Sequence, residues 1–179
     1  AFPADELLVV KSAKGGMPIR RWYKAWRPGA PMTEPWDPAA NGDLHDVLMA
    51  KVSAALAGRR PDAITFVWKQ GERDAKTGQG AVYQASLAGY LAQVRADLGR
   101  ADVRVVIGRL SRHGLGRYPD WEVVRRAQVA VAEDDPLATW VDCDGLEVGG
   151  PDQGLHYTPD NYRELGRRLA AAAIGLQQA

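Results

Sequence analysis

Three short segments carry residue types suited to polar chemistry at one point. Gly15-Gly16, followed by Pro18-Ile19-Arg20-Arg21-Trp22, lets the backbone turn tightly and present N–H groups to an anionic oxygen. A plain turn accounts for the same pair. Gln70-Gly71-Glu72 ends a β-branched and aromatic run with amide donors and a carboxylate. The alternative there is a solvated loop, with Glu72 and Asp74 facing water and Arg73 pairing with either acid. His156, in Asp152-Gln153-Gly154-Leu155-His156-Tyr157-Thr158, suits a general base, and a structural or surface histidine is the other reading.

The remaining histidines read differently. His45 falls in the first turn of an amphipathic helix and His113 in a glycine-rich loop, so both are expected at the surface. No metal site is expected, because the three histidines have no ligand spacing. The glycine loop lacks the Lys-Ser/Thr pair of a phosphate loop and the spacing of a dinucleotide fingerprint, so no nucleotide cofactor is expected either.

The elements that must position these loops follow from apolar periodicity. Leu7-Leu8-Val9-Val10 reads as a buried strand running into the glycine loop. From Trp22 to Asn41, Pro28, Pro31, Pro35 and Pro38 among Trp26 and Trp36 predict a long surface loop. Asp43 reads as the N-cap of a helix over 43–58, closed by Gly58 and Pro61. Strands are predicted at Ala63–Trp68, Val103–Leu110 and from Thr139 to Val141 or Cys143. Helices are predicted near 80–98 (closed by Gly99), near 120–134, and from Pro159 with Thr158 as cap. This alternation means a parallel sheet covered by helices on both faces, with ligands beyond the carboxyl ends of the strands. The candidate loops are then 14–22, 70–74, 111–118 and 142–156.

Composition bounds the rest. With 179 residues, 46% of them hydrophobic, the chain reads as one α/β domain over 1–179, large enough to need neither disulfides nor metal to hold a core. Cys143 is the only cysteine, which excludes an intrachain bridge. Lys+Arg 23 against Asp+Glu 22 gives a net charge of +1, so no global field points to nucleic acid, and no apolar run approaches the length of a membrane span.

Taken together the segments resemble the sialate O-acetylesterase-like domain of the SGNH hydrolases. The matching stretches are Val9 to Trp22, Phe66-Val67-Trp68-Lys69-Gln70-Gly71-Glu72-Arg73-Asp74-Ala75, Val105 to Leu110, Val124-Arg125-Arg126-Ala127-Gln128, Val141 to Leu146, and Leu155-His156-Tyr157-Thr158 through Gly166. The resemblance implies a flavodoxin-like three-layer sheet and a serine esterase acting on acetylated carbohydrate. In such an enzyme a serine attacks the acetyl carbonyl, a histidine takes its proton, and amides hold the oxyanion. By position, His156 would be the base, and Gly15 or Gly16 and Gln70 the oxyanion donors. Glu72, Arg20 and Trp22 would lie on the substrate side, with Arg21 and Arg117 as further cations for an acidic sugar. The resemblance also implies an extracellular or periplasmic setting.

Two departures accompany it. The family's Gly-Gln-Ser-Asn-type segment is not found, and Ser12, Ser53, Ser86 and Ser111 do not occupy that motif. The acid expected two or three residues ahead of the histidine is replaced by Gly154 and Gln153, which leaves Asp152 or Glu72 to orient His156. The serine is therefore expected on a strand preceding Ala1, at the middle of a sheet of order 2-1-3-4-5. A catalytically inactive, carbohydrate-binding relative of the same fold is the alternative expectation.

Overall fold

The computed structural model describes residues 6–29, 39–146, 149 and 155–178. Its centre is a three-stranded parallel sheet in the order β1 (Thr65–Trp68), β2 (Arg104–Gly108), β3 (Ala138–Val141). Thr65 pairs with Arg104 and Trp68 with Ile107, while Val105 pairs with Ala138 and Gly108 with Val141. All three strands therefore end at one edge.

Among the described residues five α-helices occur, in chain order: α1 (Asp43–Leu56), the short α2 (Glu72–Lys76), α3 (Gly80–Leu98), α4 (Trp121–Asp134) and α5 (Pro159–Gln178). Side chains alternate across a strand, and that alternation divides the helices between two faces. Val105 and Ile107 enter a core with Tyr90, Leu91 and Val94 of α3 and Val124 and Val131 of α4. On the opposite face α5 lies along β2, where a Cβ on Gly108 would press on Lys69 Cδ at 2.9 Å and touch Leu169 only at 3.7 Å, and the Arg104 guanidinium reaches the Leu176 carbonyl at 2.7 Å. A β-branched strand enclosed in this way has no wet face, and for that reason its sequence reads as an unbroken apolar run.

The helix ends follow local rules. Gly99 closes α3 in the left-handed region at φ 62°, and its N–H reaches the Ala96 carbonyl. Thr158 Oγ1 accepts the Asn161 N–H at 3.3 Å, the expected cap of α5. At α1 the cap differs from expectation. Gly42 holds the cap position, and Asp43 is the first helical residue, its carboxylate taken by the Arg21 guanidinium at 2.5 Å through both Nε and Nη2.

Two expectations are corrected. Leu7–Val10 forms no strand: Leu7 is 85% and Val9 76% exposed. A strand exists only where a neighbour accepts its backbone, and among the described residues β1 pairs with β2 alone. His45 is not at the surface but completely buried, because its position on α1 faces Tyr90 and Asp97 of α3. Its Nε2 lies 2.7 Å from Asp97 Oδ2 and its ring meets Tyr90 edge-on at 5.7 Å.

Candidate active site

The carboxyl ends of the strands deliver Lys69-Gln70-Gly71-Glu72 from β1, Arg109-Leu110-Ser111 from β2 and Asp142-Cys143-Asp144 from β3. The loop after β1 is the hub. Gly71 takes φ 143°, a conformation that a side chain would strain, and a Cβ there would meet Val124 Cγ1 at 2.8 Å. The turn brings Glu72 to the start of α2 and holds Gln70 beneath it.

Gln70 is buried, and its side-chain amide and backbone carbonyl are held from several elements. Its Nε2 donates to the Met17 carbonyl at 3.0 Å and to Asp74 Oδ2 at 2.5 Å. Its own backbone carbonyl accepts from the Tyr83 hydroxyl at 2.9 Å and from Gln128 Nε2 at 2.7 Å. Gln128 Oε1 in turn accepts the Leu110 N–H at 2.8 Å, so one side chain on α4 ties the loops after β1 and β2 together. Buried polar groups paired to this degree rigidify the loops they join.

The glycine loop docks on that hub. Arg73 Nε donates to the Gly16 carbonyl at 2.9 Å, and the Ile19 N–H reaches Asp74 Oδ2 at 3.0 Å. Gly16 sits at φ 69° on the exposed side of the turn, and a Cβ on Gly15 would meet no atom within 4 Å. Asp74 departs from the solvated reading, being completely buried, and burial pushes its carboxyl up to about 7.

His156 comes to the same hub from the other end of the chain. Leu155 packs against the main core, and Tyr157 joins Cys143, Leu146 and Leu165 in a second apolar cluster. Between these anchors His156 is exposed and within electrostatic reach of Glu72. Burial raises the Glu72 carboxyl, but the Lys69 ammonium 3.1 Å away and His156 outweigh it, leaving Glu72 below the usual carboxylate range. Lys69 is held up for the reciprocal reason: the loss of water is exceeded by Glu72 and by the Tyr157 and Cys143 groups nearby. Burial pushes the Tyr157 hydroxyl up to about 12.

Of the residues singled out from sequence, Gly16, Gln70, Glu72 and His156 thus converge on one loop, with Gly15 beside them. Asp152 lies outside the described residues. Arg20 and Trp22 are turned into the core, away from a ligand. Arg20 is 1% exposed and donates to the Ala39 carbonyl at 2.6 Å, while Trp22 is 6% exposed and meets Trp68 edge-on at 5.7 Å. Arg21 is committed to Asp43. Arg117 lies on the loop after β2, 3.1 Å from His113 Nε2.

Sequence reasoning missed Asp74, Tyr83, Gln128 and Asp144. Gln70 and Asp74 are four apart, but Gln70 lies before α2 and Gly71 at φ 143° separates them, so no helical spacing signalled their contact. Asp144 pairs with Arg125 at 2.9 Å and Arg109 at 2.9 Å, closing the loop after β3 onto the loop after β2. Among the described residues no group of three or more metal-ligating side chains comes together, and no helix is long and apolar enough to cross a membrane.

A helix-covered parallel sheet whose carboxyl edge gathers a glycine turn, a Gln-Gly-Glu loop and a histidine has the architecture of an esterase of the SGNH type. The chain belongs to the carbohydrate esterase, sialic acid-specific acetylesterase family (SASA), whose sequence model matches residues 2–175. Among solved structures, a protein from Arabidopsis thaliana superposes with a TM-score of 0.69 at 20% identity, over 92% of this chain and 59% of its own. A carbohydrate acetylesterase from Xanthomonas citri superposes with a TM-score of 0.56 at 21% identity, over 89% of this chain and 34% of its own. At these identities the likeness is one of fold, and the chain spans less than two thirds of either protein. No curated protein sequence matches.

Proposed function

We propose that this chain supplies the base and the oxyanion donors of a carbohydrate O-acetylesterase, with the attacking serine on a strand that precedes Ala1 and pairs with the outer edge of β1. The observation that carries the reading is the convergence on the Gln-Gly-Glu loop: Met17 is hydrogen-bonded to Gln70 and Gly16 to the adjoining Arg73, and His156 lies within electrostatic reach of Glu72. The exposed Leu7, Leu8, Val9 and Val67 support the added strand, since they are the apolar side chains it would cover in a five-stranded flavodoxin-like sheet.

In this reading the serine hydroxyl attacks the acetyl carbonyl while His156 takes its proton. Backbone N–H groups of Gly15 or Gly16, with the backbone N–H of Gln70, whose side-chain NH2 is already held by Met17 and Asp74, receive the negative charge on the carbonyl oxygen. His156 then protonates the departing sugar oxygen, leaving an acetyl-serine that water hydrolyses by the same steps. Asp152 or Glu72 orients the imidazole. One oxyanion donor contributes about 3 kcal/mol to such a barrier, so the two loops rank with the nucleophile in importance.

The test is acetate release from O-acetylated sugars and from p-nitrophenyl acetate by the full-length protein. Turnover that falls by about 1,000-fold or more in His156→Ala supports the assignment. Absence of turnover in the unaltered full-length protein overturns it. Gln153 and Gly154, standing where the family places an acid, favour one second reading, a carbohydrate-binding relative without activity. Sugar binding by calorimetry with no acetate released is its signature.

A further inference from the structure

We propose that Asp74 is a positioning residue: a single buried carboxyl that fastens the glycine loop to the Gln-Gly-Glu loop and so sets the spacing between the amide donors. Its catalytic consequence rests on the esterase reading above; its structural role does not.

Asp74 Oδ2 accepts two hydrogen bonds from different loops, the Ile19 N–H at 3.0 Å and Gln70 Nε2 at 2.5 Å, and Oδ1 lies 3.3 Å from the same Ile19 nitrogen. Ile19 opens a single helical turn, Ile19–Arg21, whose first N–H has no acceptor within the turn itself. Ile19 and Asp74 are both completely buried, so water cannot take over either bond. The second N–H of Gln70 goes to Met17, one residue beyond Gly16. Residues 17 and 19 are thus tied to 70 and 74 on the inner side of the turn, while the Arg73 bond to Gly16 is its exposed counterpart.

An apolar side chain at 74 would leave two buried N–H groups unpaired, each costing as much as a lost hydrogen bond or more. Burial pushes the carboxyl well above its usual range, a penalty that the fold sustains at the junction of two site loops. Because one oxygen accepts both bonds, Asn could still satisfy them, whereas Asp74→Ala removes every acceptor and breaks the lock.

The experiment compares wild type and Asp74→Ala as full-length proteins. The expected result is a fall in kcat for p-nitrophenyl acetate of about 100-fold with KM nearly unchanged, the scale associated with a misplacement of about 1 Å. In parallel, amide hydrogen exchange at Ile19 accelerates about tenfold or more while Val106 in β2 keeps its protection. Unchanged kcat, unchanged exchange at Ile19, or equal acceleration at Ile19 and Val106 overturns the proposal. Should the variant fail to fold, wild-type exchange decides: an Ile19 amide as slow as those of β2 supports the lock, and one as fast as the exposed Lys14 amide overturns it. Should the wild type hydrolyse no ester, the esterase reading fails and the exchange measurement alone judges Asp74.

Discussion

The carboxamide of Gln128 closes on the backbone carbonyl of Gln70 at 2.7 Å and on the backbone N–H of Leu110 at 2.8 Å, joining two strand ends through a third element. The Leu110 N–H depends on this one side chain, whereas the Gln70 carbonyl also accepts from the Tyr83 hydroxyl at 2.9 Å. Replacing Gln128 with Leu keeps the volume and removes both bonds. The expected loss is about 1–3 kcal/mol, from the Leu110 N–H left without a partner while the Gln70 carbonyl keeps the Tyr83 hydroxyl, measured as a shift of the urea unfolding midpoint.

Gly71 tests the conformation of the same loop. An alanine at φ 143° is strained, and its Cβ would press on Val124 Cγ1 at 2.8 Å and Gln128 Nε2 at 3.1 Å. Gly71→Ala is expected to cost at least about 2 kcal/mol in thermal or urea unfolding, whereas Gly58→Ala, with open space around it, is expected to cost less.

Asp74 gives the molecule a definite pH dependence. Its carboxyl titrates at 3.8 when unfolded and about 7 when folded, because burial disfavours the ion more than Gln70 and Ile19 favour it, and Glu72 adds repulsion. Between those values the folded state holds the extra proton, so this group's contribution to stability declines as pH rises from 3.8 to about 7 and is level above. Urea midpoints at pH 5 and pH 8 check the sign. The advantage of wild type over Asp74→Ala is expected to be larger at pH 5 than at pH 8.

His45 fills a completely enclosed site between α1 and α3 and has its Nε2 on Asp97. His45→Ala removes a buried ring and one hydrogen bond together, an expected loss of about 3–5 kcal/mol by calorimetry or urea unfolding. An unperturbed midpoint would mean that the α1–α3 contact carries no stability.

Much of the architecture was legible along the chain. Unbroken β-branched runs, glycine stops and the Thr158-Pro159 start specify three strands and the four long helices, because the propensities and caps behind them act over a few residues. Leu7–Val10 shows the limit of that locality. The run has the composition of a strand, but strand formation depends on a partner that no local rule supplies. His45 fails for a related reason: periodicity locates a helical face but not the neighbour that will enclose its edge.

For the site, residue types and order alone marked Gly15, Gly16, Gln70, Glu72 and His156, since carbonyl chemistry calls for amide donors and a base wherever the chain carries them. Only the tertiary structure decided that Asp74 is buried rather than solvated, that Arg73 reaches the Gly16 carbonyl, that Arg20 and Trp22 turn inward, and that Gln128 closes the hub. Each of those outcomes depends on contacts between segments dozens of residues apart, and burial, which sets the cost of leaving a polar group unpaired, does not exist until those segments meet.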